Sequence, residues 1–187
     1  MFLQLAWGPM NWPNGLTVGR LVLGPVVLIC LLSGSVRLAF YLFVVAMLTD
    51  LYDGYLARRS NSVTEFGKLM DPLADKVLVS LVLAGFVVLG LPYIPLWMVA
   101  LIVGRELLIL GCRTGVFKSG VRFVTSRTAK FKTAGQMVWI ASVLLYLTVR
   151  SHLGHAVRGA TGHPVEDVLW VLGACTVALT LISGGEY

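Results

Sequence analysis

Charge is what this sequence has least of. Lys and Arg number 15 and Asp and Glu 9 among 187 residues, so that 13% are charged, about half the share usual in soluble proteins. With 57% of residues hydrophobic, a water-soluble domain of this length could not hide its apolar surface, whereas a bilayer can. Cysteine is equally sparse: Cys30, Cys112 and Cys175 are odd in number, lie in or at the end of apolar stretches, and read as buried structural thiols. No Ser–His or Cys–His pairing stands out to suggest a covalent intermediate. No internal repeat, low-complexity tract or linker divides the chain, and the N-terminus lacks the cationic start and apolar core of a signal peptide.

Long apolar runs are present instead, at Val18–Leu32, Leu38–Thr49, Val77–Val103, Ala134–Val149 and Val168–Ile182. A membrane span needs roughly 20 residues. The run Val77–Val103 is too long for one span and carries Pro92 and Pro95, so it reads as two helices joined by a tight Gly90–Pro95 turn. The expectation is an all-α, polytopic membrane protein with six transmembrane helices at about 16–34, 37–58, 70–90, 94–114, 130–149 and 165–183. The whole of 1–187 is then one transmembrane domain, with 1–15 an interfacial N-terminal segment in which Trp7 and Trp12 stand beside Pro9 and Pro13.

The net charge of +6 could suggest nucleic acid, but its distribution argues for no nucleic-acid partner. Arg58, Arg59, Lys68 and Lys76 surround the second interhelical loop, and Arg113, Lys118, Arg122, Arg127, Lys130 and Lys132 the fourth. The opposite loops hold Arg37, Arg150 and Arg158. The positive-inside rule therefore places both termini and the two basic loops in the cytoplasm, in a multi-pass protein of the inner membrane. His152, His155 and His163 fall on the outer side and read as solvated loop residues. Lys118, Arg122 and Arg127 suit solvent or anionic membrane lipid.

Four of the nine acids, Asp50, Asp53, Asp71 and Asp75, gather at the junction of the second and third helices. Asp50 and Asp53 are separated by about 60° around a helix, so they share a face, as do Asp71 and Asp75. Such carboxylates at the hydrocarbon boundary cost several kcal/mol unless compensated. Arg58, Arg59, Lys68 and Lys76 could pair with them in a structural network, the acids could mark a route for cations, or bound cations could neutralise them. All-oxygen ligation suits Mg²⁺ or Mn²⁺. Gly54, Ala57 and Gly67 beside the acids let a bulky ligand approach the backbone closely.

Read in full, Asp50-x2-Asp53-Gly54-x2-Ala57-Arg58-x8-Gly67-x3-Asp71-x3-Asp75 resembles, at every fixed position, the signature of the CDP-alcohol phosphotransferase family. The resemblance implies a six-helix membrane enzyme that passes a phosphatidyl or related group from a CDP-linked donor to an alcohol, releasing CMP. It implies two metal ions, Mg²⁺ or Mn²⁺, with Asp50, Asp53 and Asp71 as ligands and Asp71 bridging. Asp75 would be both a ligand and the base for the acceptor hydroxyl. Gly54, Ala57, Arg58 and Gly67 would line the cytidine diphosphate site, and the protein would be a homodimer. A metal pair suits a pyrophosphate with several negative charges, and a carboxylate base suits an alcohol nucleophile.

Further stretches narrow the acceptor. Pro13-Asn14-Gly15-Leu16-Thr17-Val18-Gly19-Arg20, the run Gly67–Lys76, Arg105-Glu106 followed by Arg113, and Lys130-Phe131-Lys132-Thr133 before Gln136-Met137 resemble the branch of the family that makes phosphatidylglycerol phosphate. Ala129 departs from the glycine often found there. That branch implies CDP-diacylglycerol and glycerol 3-phosphate as substrates; another acceptor, such as inositol phosphate, is the alternative. Independently, Arg105 and Glu106 interrupt an apolar helix and must face protein or water. They could pair with each other or with neighbours, or Arg105, with Arg113, Lys130, Lys132 and Thr133, could form a phosphate-sized basic pocket. The start of the fifth helix, with its free N–H groups, favours an anion there. Asn14 and Thr17 suit either nucleotide orientation or helix capping, Arg20 suits a snorkelling anchor, and Glu65 falls in the short loop without a role.

Overall fold

A computed structural model describes the backbone of residues 12–60, 65–117, 127–153 and 162–184, and side chains within 19–50, 73–111, 132–152 and 164–183. Six helices account for nearly all of it: α1 Trp12–Leu32, α2 Val36–Ser60, α3 Glu65–Val88, α4 Leu96–Phe117, α5 Arg127–Leu153 and α6 Gly162–Gly184. No strand occurs among the described residues. The all-α expectation holds, but several helices reach further than the apolar runs. Trp12 already opens α1, so the last residues of the expected interfacial segment are helical, while Trp7 and Pro9 lie outside the described residues. Pro13 sits in the first turn, where its missing N–H costs no hydrogen bond. Glu65 opens α3 rather than lying in a loop, and His152 belongs to the last turn of α5. The reason is common to all three: a helix continues into polar sequence as long as its backbone bonds are satisfied, so apolarity marks its middle and not its ends.

The expected Gly90–Pro95 turn is present. Gly90 has φ +65°, its N–H donates to Val87 O at 3.0 Å, and that of Leu91 reaches Phe86 O at 3.4 Å. These two bonds form the motif in which a left-handed residue closes the last carbonyls of a helix. The N–H of Ile94 then bonds Leu91 O at 3.0 Å, and Met98 N–H bonds Pro95 O at 3.0 Å as α4 begins. Gly34, at φ +80°, ends α1 in a similar way.

The chain forms two compact units whose boundary falls within α3, after Val82. In the first, α1 packs along α2, with Val27, Leu31, Ala39, Phe43 and Ala46 fully buried. The first part of α3 passes close to α1: a Cβ on Gly24 would lie 3.3 Å from Leu78 Cα. In the second unit α6 packs against both α4 and α5, and Met98, Ile102, Trp139, Ile140, Val143 and Leu144 fill the interior.

Polarity is arranged inside out relative to a soluble protein. Val22, Ile29, Tyr41, Leu48, Leu108, Val138 and Ile182 are exposed, whereas Arg20, Glu106, Lys132 and Gln136 are buried. Soluble monomers rarely expose apolar surface on such a scale. Two segments, Lys132–His152 and Pro164–Ser183, are long and apolar enough to cross a membrane, and Gly19–Leu32 is a shorter apolar helix. These features are those of a membrane protein. They also correct the reading of the thiols. Cys175 is exposed and Cys30 half-buried; the side chain of Cys112 lies outside the described residues. Cys175 shares its helix with exposed Val171, Leu172 and Leu179, so a weakly polar thiol suits that outward apolar face without protein covering it.

A close contact in the second unit joins α5 to α6. Trp139 Nε1 donates to Leu169 O at 2.9 Å, and a Cβ on Gly173 would lie 2.7 Å from Trp139 Cζ2. The indole is fully buried and held by its hydrogen bond, so it cannot yield cheaply. Gly173→Ala is therefore expected to destabilise the protein by about 1–3 kcal/mol, seen as a lower thermal midpoint in detergent. Gly104→Ala, where a Cβ meets nothing within 4 Å, should leave the midpoint unchanged or raise it.

Candidate active site

The acidic signature lies on two helices of one unit. Asp50, Asp53, Gly54, Ala57 and Arg58 occupy the C-terminal half of α2, and Gly67, Asp71 and Asp75 the N-terminal half of α3. Both stretches are helical, so each aspartate pair keeps the spacing that puts it on one face, with rises of roughly 4.5 and 6 Å along the axis. The side chains of Asp53, Ala57, Arg58 and Asp71, and the surroundings of Gly54 and Gly67, lie outside the described residues.

Asp50 and Asp75 are described, and each contradicts a simple picture of solvated acids. Asp50 Oδ1 forms an ion pair with Arg20 Nη1 from α1. Arg20 is 2% exposed, so it is no snorkelling anchor; its guanidinium is held inside and finds its counter-charge on the neighbouring helix. Sequence reading sought partners for the acids among Arg58, Arg59, Lys68 and Lys76 and missed Arg20. The available signal was a lone cation in an apolar helix, which has to be compensated somewhere. The side chain of Asp50 is 34% exposed, and the pair engages only Oδ1, so the carboxylate retains a second oxygen for another ligand. Asp75 is half-buried with Oδ1 fully buried. Carboxylate oxygens such as those of Asp50 and Asp75 are the donor type that hard divalent cations prefer. Among the described residues no three such ligands come together, two of the four aspartate side chains being outside them.

A second polar cluster lies within the other unit, where three helices meet. On α4, Arg105 Nη2 donates to Ser183 Oγ of α6 at 2.9 Å, and Arg105 Nη1 stands 3.5 Å from Glu106 Oε1. Lys132 of α5 forms an ion pair with the same Glu106 oxygen. Lys132 is 3% exposed and Glu106 and Ser183 are also buried. Two cations thus share one carboxylate, and the reading in which Arg105 and Glu106 pair with neighbours is realised. Ser183 was not anticipated; nothing in its sequence context distinguishes it. Thr133 is half-buried on the same helix as Lys132.

The expected use of the α5 N-terminus requires correction. Because α5 begins at Arg127, only Lys130 falls in the first turn, where N–H groups lack intrahelical partners. Lys132 and Thr133 lie in the second turn, and their backbone groups are committed to the helix. Arg113 and Lys130, with Asn14 and Thr17 of α1, have side chains outside the described residues.

A third cluster is structural. Tyr146 Oη donates to Glu166 Oε1 at 2.8 Å, and Arg150 Nη1 donates to the same oxygen at 3.0 Å, tying α5 to α6. Tyr93, in the turn before α4, meets the Tyr146 ring edge-on with centroids 5.8 Å apart. Burial pushes the Tyr93 hydroxyl well above its ordinary range, with Tyr146 and Glu166 adding to the shift, so it stays neutral. His152 is exposed; the side chains of His155 and His163 lie outside the described residues.

Comparison with known proteins places these features in context. Residues 10–182 match a family model described as CDP-alcohol phosphatidyltransferase. The chain is 34% identical over 193 residues to a CDP-diacylglycerol--glycerol-3-phosphate 3-phosphatidyltransferase of Bacillus subtilis (strain 168), covering 95% of this chain and 93% of the relative. An enzyme of the same name from Rickettsia felis is 34% identical over 180 residues, with 95% and 93% covered. A probable phosphatidylglycerophosphate synthase of Mycobacterium tuberculosis (strain CDC 1551 / Oshkosh) is 35% identical over 183 residues, with 95% and 79% covered.

The Glu106 cluster yields a direct test. Removing one member of a buried ion pair strands the other, at a cost of about 3–5 kcal/mol. Glu106→Gln leaves Arg105 and Lys132 without their shared carboxylate and should lower the thermal midpoint strongly. Adding Lys132→Met to Glu106→Gln should recover part of that loss. Additive losses in the double variant would show that the pair carries no coupling.

Proposed function

The chain belongs to the CDP-alcohol phosphatidyltransferase family, and from that premise we propose that it transfers the phosphatidyl group of CDP-diacylglycerol to glycerol 3-phosphate, giving phosphatidylglycerol phosphate and CMP. The observation that carries the reading is the unbroken eight-position signature from Asp50 to Asp75, carried on α2 and α3. The names of the relatives, which extend over almost the whole chain, support the acceptor.

In this reading 1–187 is a single catalytic domain, with six spans, a cytoplasm-facing site in the inner membrane and a homodimeric state. The basic loops support the orientation, and the exposed apolar surface supports the spans. Asp50, Asp53, Asp71 and Asp75 would hold two divalent ions, Mg²⁺ or Mn²⁺. The second oxygen of Asp50 and the half-buried carboxylate of Asp75 fit that role. When bound, the ions supply charge neutralisation for the pyrophosphate and the departing CMP.

The chain's own residues do the rest. Arg20 keeps Asp50 oriented from α1. Gly54, Ala57, Arg58 and Gly67, with Asn14 and Thr17, bind the cytidine diphosphate. Arg105, Arg113, Lys130, Lys132 and Thr133 hold the acceptor's phosphate through charge-assisted bonds. Asp75 accepts the proton of the acceptor's primary hydroxyl. That oxygen attacks the phosphorus bearing the diacylglycerol, a new P–O bond forms, and the bond to CMP breaks with its electron pair leaving on CMP.

The deciding assay follows CMP release from labelled CDP-diacylglycerol with a panel of acceptors; no release with glycerol 3-phosphate overturns the proposal. Three predictions accompany it. Chelation, or Asn at Asp50, Asp53 or Asp71, should abolish turnover in folded protein. Asp75→Asn should lower kcat by roughly 10²–10⁴-fold while CDP-diacylglycerol affinity changes only a few-fold; an unchanged kcat at saturating metal and acceptor rules out the base. Separately, Arg113→Ala should raise the KM for glycerol 3-phosphate about ten- to a hundredfold with little change for the CDP-lipid. Equal small changes for both substrates would remove Arg113 from the acceptor site.

A further inference from the structure

Among the described residues of α5, Gln136 is the one buried polar residue that the reaction scheme leaves unused. It is 4% exposed, and its Nε2 is buried without a hydrogen-bond partner. An unsatisfied buried amide is costly and rare in native proteins, and calls for an explanation. Its place in the helix offers one. Gln136 follows Lys132 by four residues, one turn along the same face and roughly 6 Å away. Lys132 belongs to the cluster in which Arg105, Glu106 and Ser183 are joined. Gln136 therefore stands one helical turn from Lys132, one of the cations to which the acceptor's phosphate is assigned.

Resting on the function proposed above, we infer that Gln136 is a specificity-determining residue that hydrogen-bonds the free secondary hydroxyl of a phosphorylated glycerol acceptor. The chemistry fits in both directions. A carboxamide offers donors and an acceptor, and a hydroxyl offers a donor and lone pairs. A phosphate and a carbon-bound hydroxyl two bonds farther along a three-carbon chain span a few ångströms, comparable with one helical turn between Lys132 and Gln136. An acceptor without that hydroxyl would leave the amide buried and unpaired, which is the condition under which polar sites discriminate best.

The test compares glycerol 3-phosphate with 3-hydroxypropyl phosphate, which keeps the phosphate and the reacting primary hydroxyl and lacks only the secondary one. The full-length enzyme should favour glycerol 3-phosphate in kcat/KM by roughly 5- to 100-fold. Gln136→Met, close in length but unable to pair, should bring that ratio near one by lowering kcat/KM for glycerol 3-phosphate, with the KM for CDP-diacylglycerol unchanged. Its thermal midpoint should not fall, because an unsatisfied amide gives way to an apolar group. The ratio is taken within one preparation, so it does not depend on the folded fraction, and Gln136→Leu gives the same comparison if methionine leaves no folded protein. A variant that keeps the parental ratio, or a parent that uses both acceptors equally, overturns the role of Gln136 and leaves the proposed reaction standing. A parent that releases CMP with neither overturns both.

Discussion

A charge buried among apolar helices has to be met by another, and that requirement shapes each of the two units. Buried cations and carboxylates cost several kcal/mol each when left alone. Arg20 is met by Asp50 across α1 and α2, and Lys132 by Glu106 across α5 and α4. Neither pair joins residues close in sequence, so each ties separate helices together at a defined height. Helices with apolar exteriors gain little from sliding past one another in register-specific ways; an ion pair that must be closed removes that freedom. The Trp139 indole seated over Gly173 does the same through shape.

These pairings also bear on chemistry. Asp50 stands in the acidic signature and at the same time balances Arg20, so its carboxylate is oriented by a fixed partner before any ligand arrives. Orientation in advance is what a site needs if binding energy is not to be spent on ordering side chains. In the other unit, Arg105 is braced by Ser183 and Lys132 by Glu106, so cations suited to an anion are held by the helices rather than by loops. In the proposed reaction stability and function draw on the same side chains, so substitutions there are read through both folding and kinetics.

Much of the helix pattern was legible because apolar runs recur along the chain with few charges inside them and because Gly90, Pro92 and Pro95 break the longest of them. The family was legible because eight positions from Asp50 to Asp75 stand at fixed spacing. Less legible were the ends: α5 starts at Arg127 and not near Lys130, which removes Lys132 and Thr133 from the first turn. The outward thiol of Cys175 was misread because burial preferences learned from water-soluble cores do not apply to a surface that faces apolar surroundings.

The sequence by itself determined the all-α class, the acidic motif and the family, since these depend on composition and on spacing along one chain. Only the tertiary structure decided which charge answers which. Arg20 and Asp50 are 30 residues apart, Arg105 and Ser183 78 apart, and nothing local in either segment names its partner. The same holds for Gln136, whose unpaired amide becomes visible only once its neighbours are in place. Pairing across helices is set by packing, and packing is a property of the assembled bundle rather than of any stretch within it.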